Sequence, residues 1–244
     1  MSDTSPAGAP RRAALVFIFI TVVLDMLALG MIIPVLPHLI EDFLGGDTAG
    51  AAKVYGVFGT AWALMQFVFM PVMGALSDRF GRRRVILISN VGLGLDYVLM
   101  ALAPNLAWLF IGRIISGICA ASVSTGMGYV ADVTPVERRS AAFGRLGVAF
   151  GLGFVLGPAL GGVLGSIDPR LPFWAAAGFS FVNALYGLFV LPESLPRDRR
   201  RAFEWRRANP LGSLRLLRSH RELLGLAGVV FLSNLAHAAL PATF

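Results

Sequence analysis

Gly74-Ala75-Leu76-Ser77-Asp78-Arg79-Phe80-Gly81-Arg82-Arg83-Arg84 sets one acid and four arginines between two long apolar runs, and that contrast decides the fold. The stretch reads as a hairpin joining two membrane helices. Gly74 and Gly81 let the backbone turn tightly and neighbouring helices approach, since neither carries a Cβ. Asp78 closes one apolar helix, where it can pair with Arg79 or Arg82 or meet the N-terminus of a neighbouring helix, whose dipole favours an anion. The simpler alternative is that Arg79, Arg82, Arg83 and Arg84 only hold a loop in the cytoplasm and Asp78 is solvated.

Composition extends the membrane reading to the whole chain. Hydrophobic residues make up 56% and charged residues 14% of the sequence, against about 45–50% apolar and about 25% charged in soluble domains. Lys and Arg number 21 against 14 Asp and Glu. In a membrane protein the placement of these charges says more than their sum, and nucleic-acid binding is not expected. The single cysteine, Cys119, lies in an apolar run, so neither a disulfide framework nor a cysteine metal cluster is expected.

Residues 1–12 read as a cytoplasmic tail, with Met1 to Pro10 small, polar and disordered. The apolar run that follows Arg11-Arg12 contains Asp25, lacks a small-residue cleavage site and outlasts a signal peptide. It is read as helix 1, Ala13 to Leu39, followed by an external loop from Glu41 to Lys53. Helices 2 to 6 are placed at Val54–Leu76, Val85–Ala103, Leu106–Val130, Ala141–Ile167 and Leu171–Leu191, each near the length that crosses a bilayer. Pro104-Asn105 is a minimal turn. Residues 192–222 form a basic loop, serving as linker, as surface helix on anionic lipid, or as both. A seventh apolar run occupies 223–244.

Arginines concentrate on alternate loops. Arg11 and Arg12, Arg79 to Arg84, Arg138, Arg139 and Arg145, and Arg197 to Arg221 share one side, whereas Lys53 and Arg170 are the basic residues of the other. The positive-inside rule then places the N-terminus in the cytoplasm.

Three charges fall inside apolar runs, where each costs on the order of 2.5–3.5 kcal/mol at the bilayer centre. Asp25, Asp96 and Arg113 must therefore face the bundle interior, a watery cavity or one another. They form either a salt-bridged structural cluster or a proton and substrate path, in which an Asp loads a proton on one side and releases it on the other while Arg113 modulates its proton affinity. Gln66 and Asn90 either line a cavity or bond between helices; Asn234 and His237 either bind and titrate or form a packed pair. His38 reads as a solvated interface residue, and Trp62, Trp108 and Trp174 partly fit an interfacial belt. Ala149, Gly153, Gly157, Gly161 and Gly165 recur every fourth residue, giving a smooth face for close helix contact, while Pro158 permits a bend. No metal-ligand spacing, nucleophile elbow or phosphate loop is present in the sequence.

The Gly74–Arg84 stretch resembles the loop between helices 2 and 3 of the major facilitator superfamily, whose pattern is Gly-x-Leu-x-Asp-Arg-x-Gly-Arg-Arg. Leu109-Phe110-Ile111-Gly112-Arg113-Ile114-Ile115-Ser116-Gly117 resembles that family's helix 4 motif, and Gly153-Phe154-Val155-Leu156-Gly157-Pro158-Ala159-Leu160-Gly161-Gly162 its antiporter motif in helix 5. Leu24-Asp25, Gly30 with Pro34-Val35-Leu36-Pro37, Asp96 to Pro104 and Leu240-Pro241-Ala242-Thr243 resemble segments of tetracycline-resistance exporters, which exchange a metal–tetracycline cation for protons. Pro192-Glu193-Ser194 matches the usual end of helix 6. Arg84 departs from a position often held by proline, and His237 from one more often held by an amide side chain.

The resemblance implies an all-α polytopic membrane protein: a six-helix N-terminal bundle, residues 13–191, then the central loop and a seventh helix beginning a missing C-terminal half, as in a truncated chain. It implies a proton-coupled drug exporter of the inner membrane working by alternating access, not an enzyme. Tetracycline is the first substrate expected. Another hydrophobic drug, or a non-transporting fragment, is the alternative. Asp25, Asp96, Arg113, Gln66, Asn90 and His237 would lie on the coupling and substrate path, and Gly74, Asp78, Arg79, Gly81, Arg82 and Arg83 in a cytoplasmic gate. No resident cofactor is implied: the proton gradient drives exchange, and a divalent metal travels with the substrate. The expected partners are drug, protons, lipid and the C-terminal half.

Overall fold

The computed structural model describes residues 8–120, 123–205, 208–210, 212, 224–230 and 232–233, with side chains from Leu15 onward. Among these residues there is no strand, and eight α-helices have defined bounds: α1 Gly8–Ile32, α2 Val35–Phe43, α3 Thr48–Phe80, α4 Arg82–Ala101, α5 Leu106–Ala120, α6 Val123–Val133, α7 Arg139–Ile167 and α8 Leu171–Val190. They make six stretches long and apolar enough to cross a membrane, with α1–α2 and α5–α6 each contributing one. The chain is a multi-pass membrane protein.

The helix ends follow local chemistry and correct several boundaries. The expected first helix is interrupted at Ile33-Pro34, since Pro34 has no N–H to donate, and α2 then continues to Phe43 through residues expected in the loop. The external connection shrinks to 44–47. Asp47 caps α3, its Oδ1 accepting from Gly50 N at 2.9 Å, so this helix starts six residues before Val54. Asn105 Oδ1 accepts from Ala107 N and Trp108 N at the start of α5. Gly8–Pro10, expected in the tail, are helical. Arg11 and Arg12 continue the same helix, while residues 1–7, most of the seventh run, and 206–207, 211 and 213–222 of the basic loop lie outside the described residues; 224–230 and 232–233 are helical.

The hairpin of α3 and α4 turns on one residue. Gly81 has φ +101°, a region closed to side chains, and a Cβ there would lie 2.7 Å from Glu193 Cδ. Gly81→Ala is expected to lower stability by about 1–3 kcal/mol, the cost of holding a residue in such a region. Thermal unfolding in detergent measures this.

Helix α1 is the hub, packed on α7 and α8, while α4 packs on α8 and α5, and α3 on α5. The periodic small residues make the α1–α7 contact. Gly153, Gly157 and Gly161 are buried, and a Cβ on Gly157 would lie 2.7 Å from Gly30 Cα, a backbone atom. Gly162 faces open space, so it is no part of this seam. Of α3 only Ala51, Phe58 and Ser77 are buried, leaving Val57, Leu64 and Phe67 exposed, as are Phe154, Val155 and Val163 of α7.

Two apolar cores fill the bundle. One gathers Phe17, Ile18, Ile86, Tyr129, Leu146 and Leu191 toward the hairpin end. The other gathers Met31, Leu36, Leu93, Met100, Leu109 and Phe173 toward the opposite end.

Candidate functional site

Between the two cores, each inner helix contributes polar side chains. Thr21 and Asp25 come from α1, Ser89 and Asn90 from α4, Ser116 from α5, Thr125 from α6, and Ser180 and Asn183 from α8. All except half-buried Asp25 are buried. Side-chain atoms of Thr21, Ser89, Asn90, Ser116, Thr125 and Ser180 have no hydrogen-bond partner, an unusual concentration, because buried polar groups are nearly always paired. This layer crosses the middle of the bundle.

Asp25 lies where two cavities meet. Its Oδ1 accepts from Asn183 Nδ2 at 3.0 Å, and the same amide nitrogen donates to Thr21 O at 3.2 Å. Asp96 is buried on α4, with neither carboxylate oxygen hydrogen-bonded. Gly112 of α5 makes room for it: a Cβ there would stand 3.1 Å from Asp96 Oδ1. Arg113 is buried in α5, its guanidinium carbon 5.3 Å from the Trp62 ring centroid. It forms no ion pair among the described residues. The salt-bridged cluster offered as one reading of Asp25, Asp96 and Arg113 is therefore absent. Tyr97, the residue after Asp96 on α4, is buried as well.

The hairpin end carries a second constellation, centred on Arg82. Each nitrogen of its guanidinium has its own acceptor: Nη2 with Asp78 Oδ1 at 2.8 Å, Nε with Asp132 Oδ2 at 3.1 Å, and Nη1 with Ser77 Oγ at 2.6 Å. The Arg82 backbone N–H donates to Glu193 Oε1 at 2.9 Å, and Glu193 Oε2 meets Arg200 at 3.6 Å. One arginine thus ties α3, α6 and the segment after α8 together. Asp78 pairs with Arg82 rather than Arg79, whose guanidinium lies 5.1 Å from the Phe80 ring centroid. Arg83 donates to Leu188 O, a carbonyl in the last turn of α8. Among the described residues nothing lies within 4 Å of a Cβ placed on Gly74.

Gln66 lines an open groove of about 580 Å³ along α3, with Trp62, Phe67, Met70 and Gly74. Trp62 is thus no belt residue: it stands in mid-helix, between the groove and Arg113. Asn90 is buried away from that groove, its amide unpaired. His38 is exposed, 4.0 Å from Glu41. His237 and Asn234 lie outside the described residues. Sequence reasoning did not identify Asn183 or Asp132. Asn183 is one polar residue within an apolar run, and Asp132, ending another, looks like a solvated terminus.

Six membrane-crossing stretches around a polar middle layer, with an arginine-centred latch at one end, have the architecture of a transporter half. The match to the Major Facilitator Superfamily covers residues 18–244, and the chain belongs to that family. It is 43% identical over 222 residues to the class C tetracycline resistance protein of Escherichia coli, covering 91% of this chain and 55% of that protein. The class D protein of Salmonella ordonez is 38% identical over 233 residues, covering 96% and 57%. The chain thus spans little more than half the length of these curated relatives. Among solved structures, the human organic anion transporter MFSD10 (TETRAN) superposes with a TM-score of 0.73 at 30% identity, over 82% of this chain and 52% of that one. A bacterial homologue of the lysosomal transporter Spinster, inward-facing and unoccupied, shares the fold with a TM-score of 0.61 at 20% identity.

Proposed function

We propose that this chain supplies the N-terminal half of a proton-coupled drug exporter of the inner membrane, with its N-terminus in the cytoplasm and tetracycline, as a metal chelate, its substrate. The observation that carries this reading is the placement of half-buried Asp25 and buried Asp96 within a bundle whose sequence is about 40% identical to tetracycline resistance proteins. Intramembrane carboxylates are retained where protons or ions move. In this mechanism protonation favours one orientation of the bundle and substrate the other; sharing one cavity, the two must exchange. Asp25 and Asp96 carry the coupled protons, Arg113 tunes them, Gln66 meets the drug in the groove, and the Asp78–Arg82 latch closes the cytoplasmic end.

A susceptibility assay tests the substrate. Cells expressing the chain together with the C-terminal half of its class C relative are expected to tolerate several-fold more tetracycline than cells expressing either half alone. Unchanged tolerance, with both halves shown to be in the membrane, removes tetracycline as substrate.

A second reading is export of another amphipathic drug, including organic anions. Arg113 favours it: this buried cation lacks a carboxylate partner among the described residues and rests against a groove-lining tryptophan. The MFSD10 likeness points the same way. Uptake of fluorescent organic anions in the same cells distinguishes the two.

A further inference from the structure

The two cavities at Asp25 are each of about 20 Å³, a size that accommodates one water molecule. The first is bordered by Thr21, Ile86, Val123 and Leu146. The second is bordered by Leu93, Tyr97, Ser116 and Val123. Asp25 borders both, together with the polar residue Thr21 on the first and with Tyr97 and Ser116 on the second. A water needs such a polar set to be held. Which cavity the carboxyl addresses depends on the orientation of the Asp25 side chain, and one neighbour fixes that orientation. Asn183 is wholly buried on α8, and its Nδ2 spans from Thr21 O to Asp25 Oδ1.

We infer that Asn183 is the positioning residue of Asp25, holding the carboxyl at the junction of two water-sized cavities so that it communicates with both. Its two acceptors anchor it. The bond to the α1 backbone carbonyl sets where the amide sits, and the second N–H then points at the carboxylate with no rearrangement of the helix. Movement of α8 relative to α1 breaks this bond and frees the carboxyl to turn toward one cavity. Tyr97 of α4 is the other titratable side chain bordering these cavities among the described residues, and it borders only the second. The inference deepens the reading of Asp25 as a proton carrier and rests on it for its purpose, but the bond itself can be tested without transport.

Infrared difference spectroscopy of the chain in liposomes, with side-chain carbons of Asp labelled, reads the Asp25 carboxyl directly. Its band, acid or carboxylate, is the one lost in Asp25→Ala. This band is expected to shift in Asn183→Ala and Asn183→Leu and to stay in place in Ser180→Ala, a neighbouring buried substitution that leaves the amide intact. A band unmoved in either folded Asn183 variant overturns the inference. If neither variant folds, the unsubstituted chain carrying side-chain 15N asparagine decides it: an amide band must move on Asp25→Ala, and an amide spectrum indifferent to that change overturns the proposal equally. A failed transport assay with these band shifts present rejects the exporter reading alone.

Discussion

Gly157→Leu is expected to abolish the folded bundle, whereas Gly162→Leu, five residues further along the same glycine-rich motif, leaves it intact. The difference is one of face. A Cβ at Gly157 would stand 2.7 Å from Gly30 Cα and 3.0 Å from Gly30 C. Both are backbone atoms, so no rotamer change relieves the clash and α1 must separate from α7. Overpacking a well-packed contact costs about 1–3 kcal/mol and occasionally more, and separation of two backbones belongs at the upper end. About 3 kcal/mol corresponds to more than a hundredfold change in the folded population. Because α1 is the hub of the bundle, the loss spreads to α8 and thence to α4. At Gly162 nothing lies within 4 Å of the added carbon. Size-exclusion profiles and thermal unfolding in detergent report both variants. A monodisperse Gly157→Leu protein of unchanged stability would show that α1 and α7 do not meet as described.

Arg82→Ala is expected to release the hairpin latch and to lower exchange at least tenfold in the complemented transporter. The substitution removes three donors at once and leaves Asp78 and Asp132 with no cation between them. Hydrogen bonds to charged groups contribute about 1.5–3 kcal/mol, and partial solvent exposure of both carboxylates places the expected loss near the lower value. Arg82→Lys is expected to recover only part of the function, because an ammonium is one compact charge where the guanidinium fork reaches three separately placed acceptors. The backbone bond to Glu193 does not depend on the side chain, so the hairpin should stay folded while α6 loosens. Hydrogen exchange across 74–84 and 128–136 checks this. Unchanged protection and rate in Arg82→Ala would leave the latch without a role.

The hairpin and the glycine seam were legible in the sequence because each obeys a spacing rule: charges between apolar runs fix a turn, and a four-residue period of small residues fixes a helix face. What a period does not say is which helix fills the face; the structure gives it to α1, with Met26, Gly30 and Met31 against Gly153, Gly157 and Gly161. Pro34 was visible, yet its effect was underestimated, since hydropathy runs straight through a break that hydrogen bonding cannot. Trp62 shows the limit of residue type as a guide to depth, since it stands in mid-helix, where a tryptophan belt does not reach. The polar layer shows the same gap. Asp25, Asp96 and Arg113 stood out because charges are rare in apolar runs, but their surroundings are long-range facts. Asn183 lies 158 positions from Asp25, and Arg82 lies 50 from Asp132. No local pattern carries such pairings.

The central claim is that the intramembrane carboxylates couple proton movement to drug movement, and proton flux measured beside drug flux tests it most directly. Everted vesicles holding this chain and the complementary half would be loaded with a pH indicator and given magnesium and tetracycline. The account predicts that each drug pulse drives proton efflux from the vesicle interior, and that Asp25→Asn and Asp96→Asn abolish both fluxes together while the protein remains in the membrane. Tetracycline uptake that persists after the proton gradient is collapsed, or that continues at the unsubstituted rate in both asparagine variants, would contradict it.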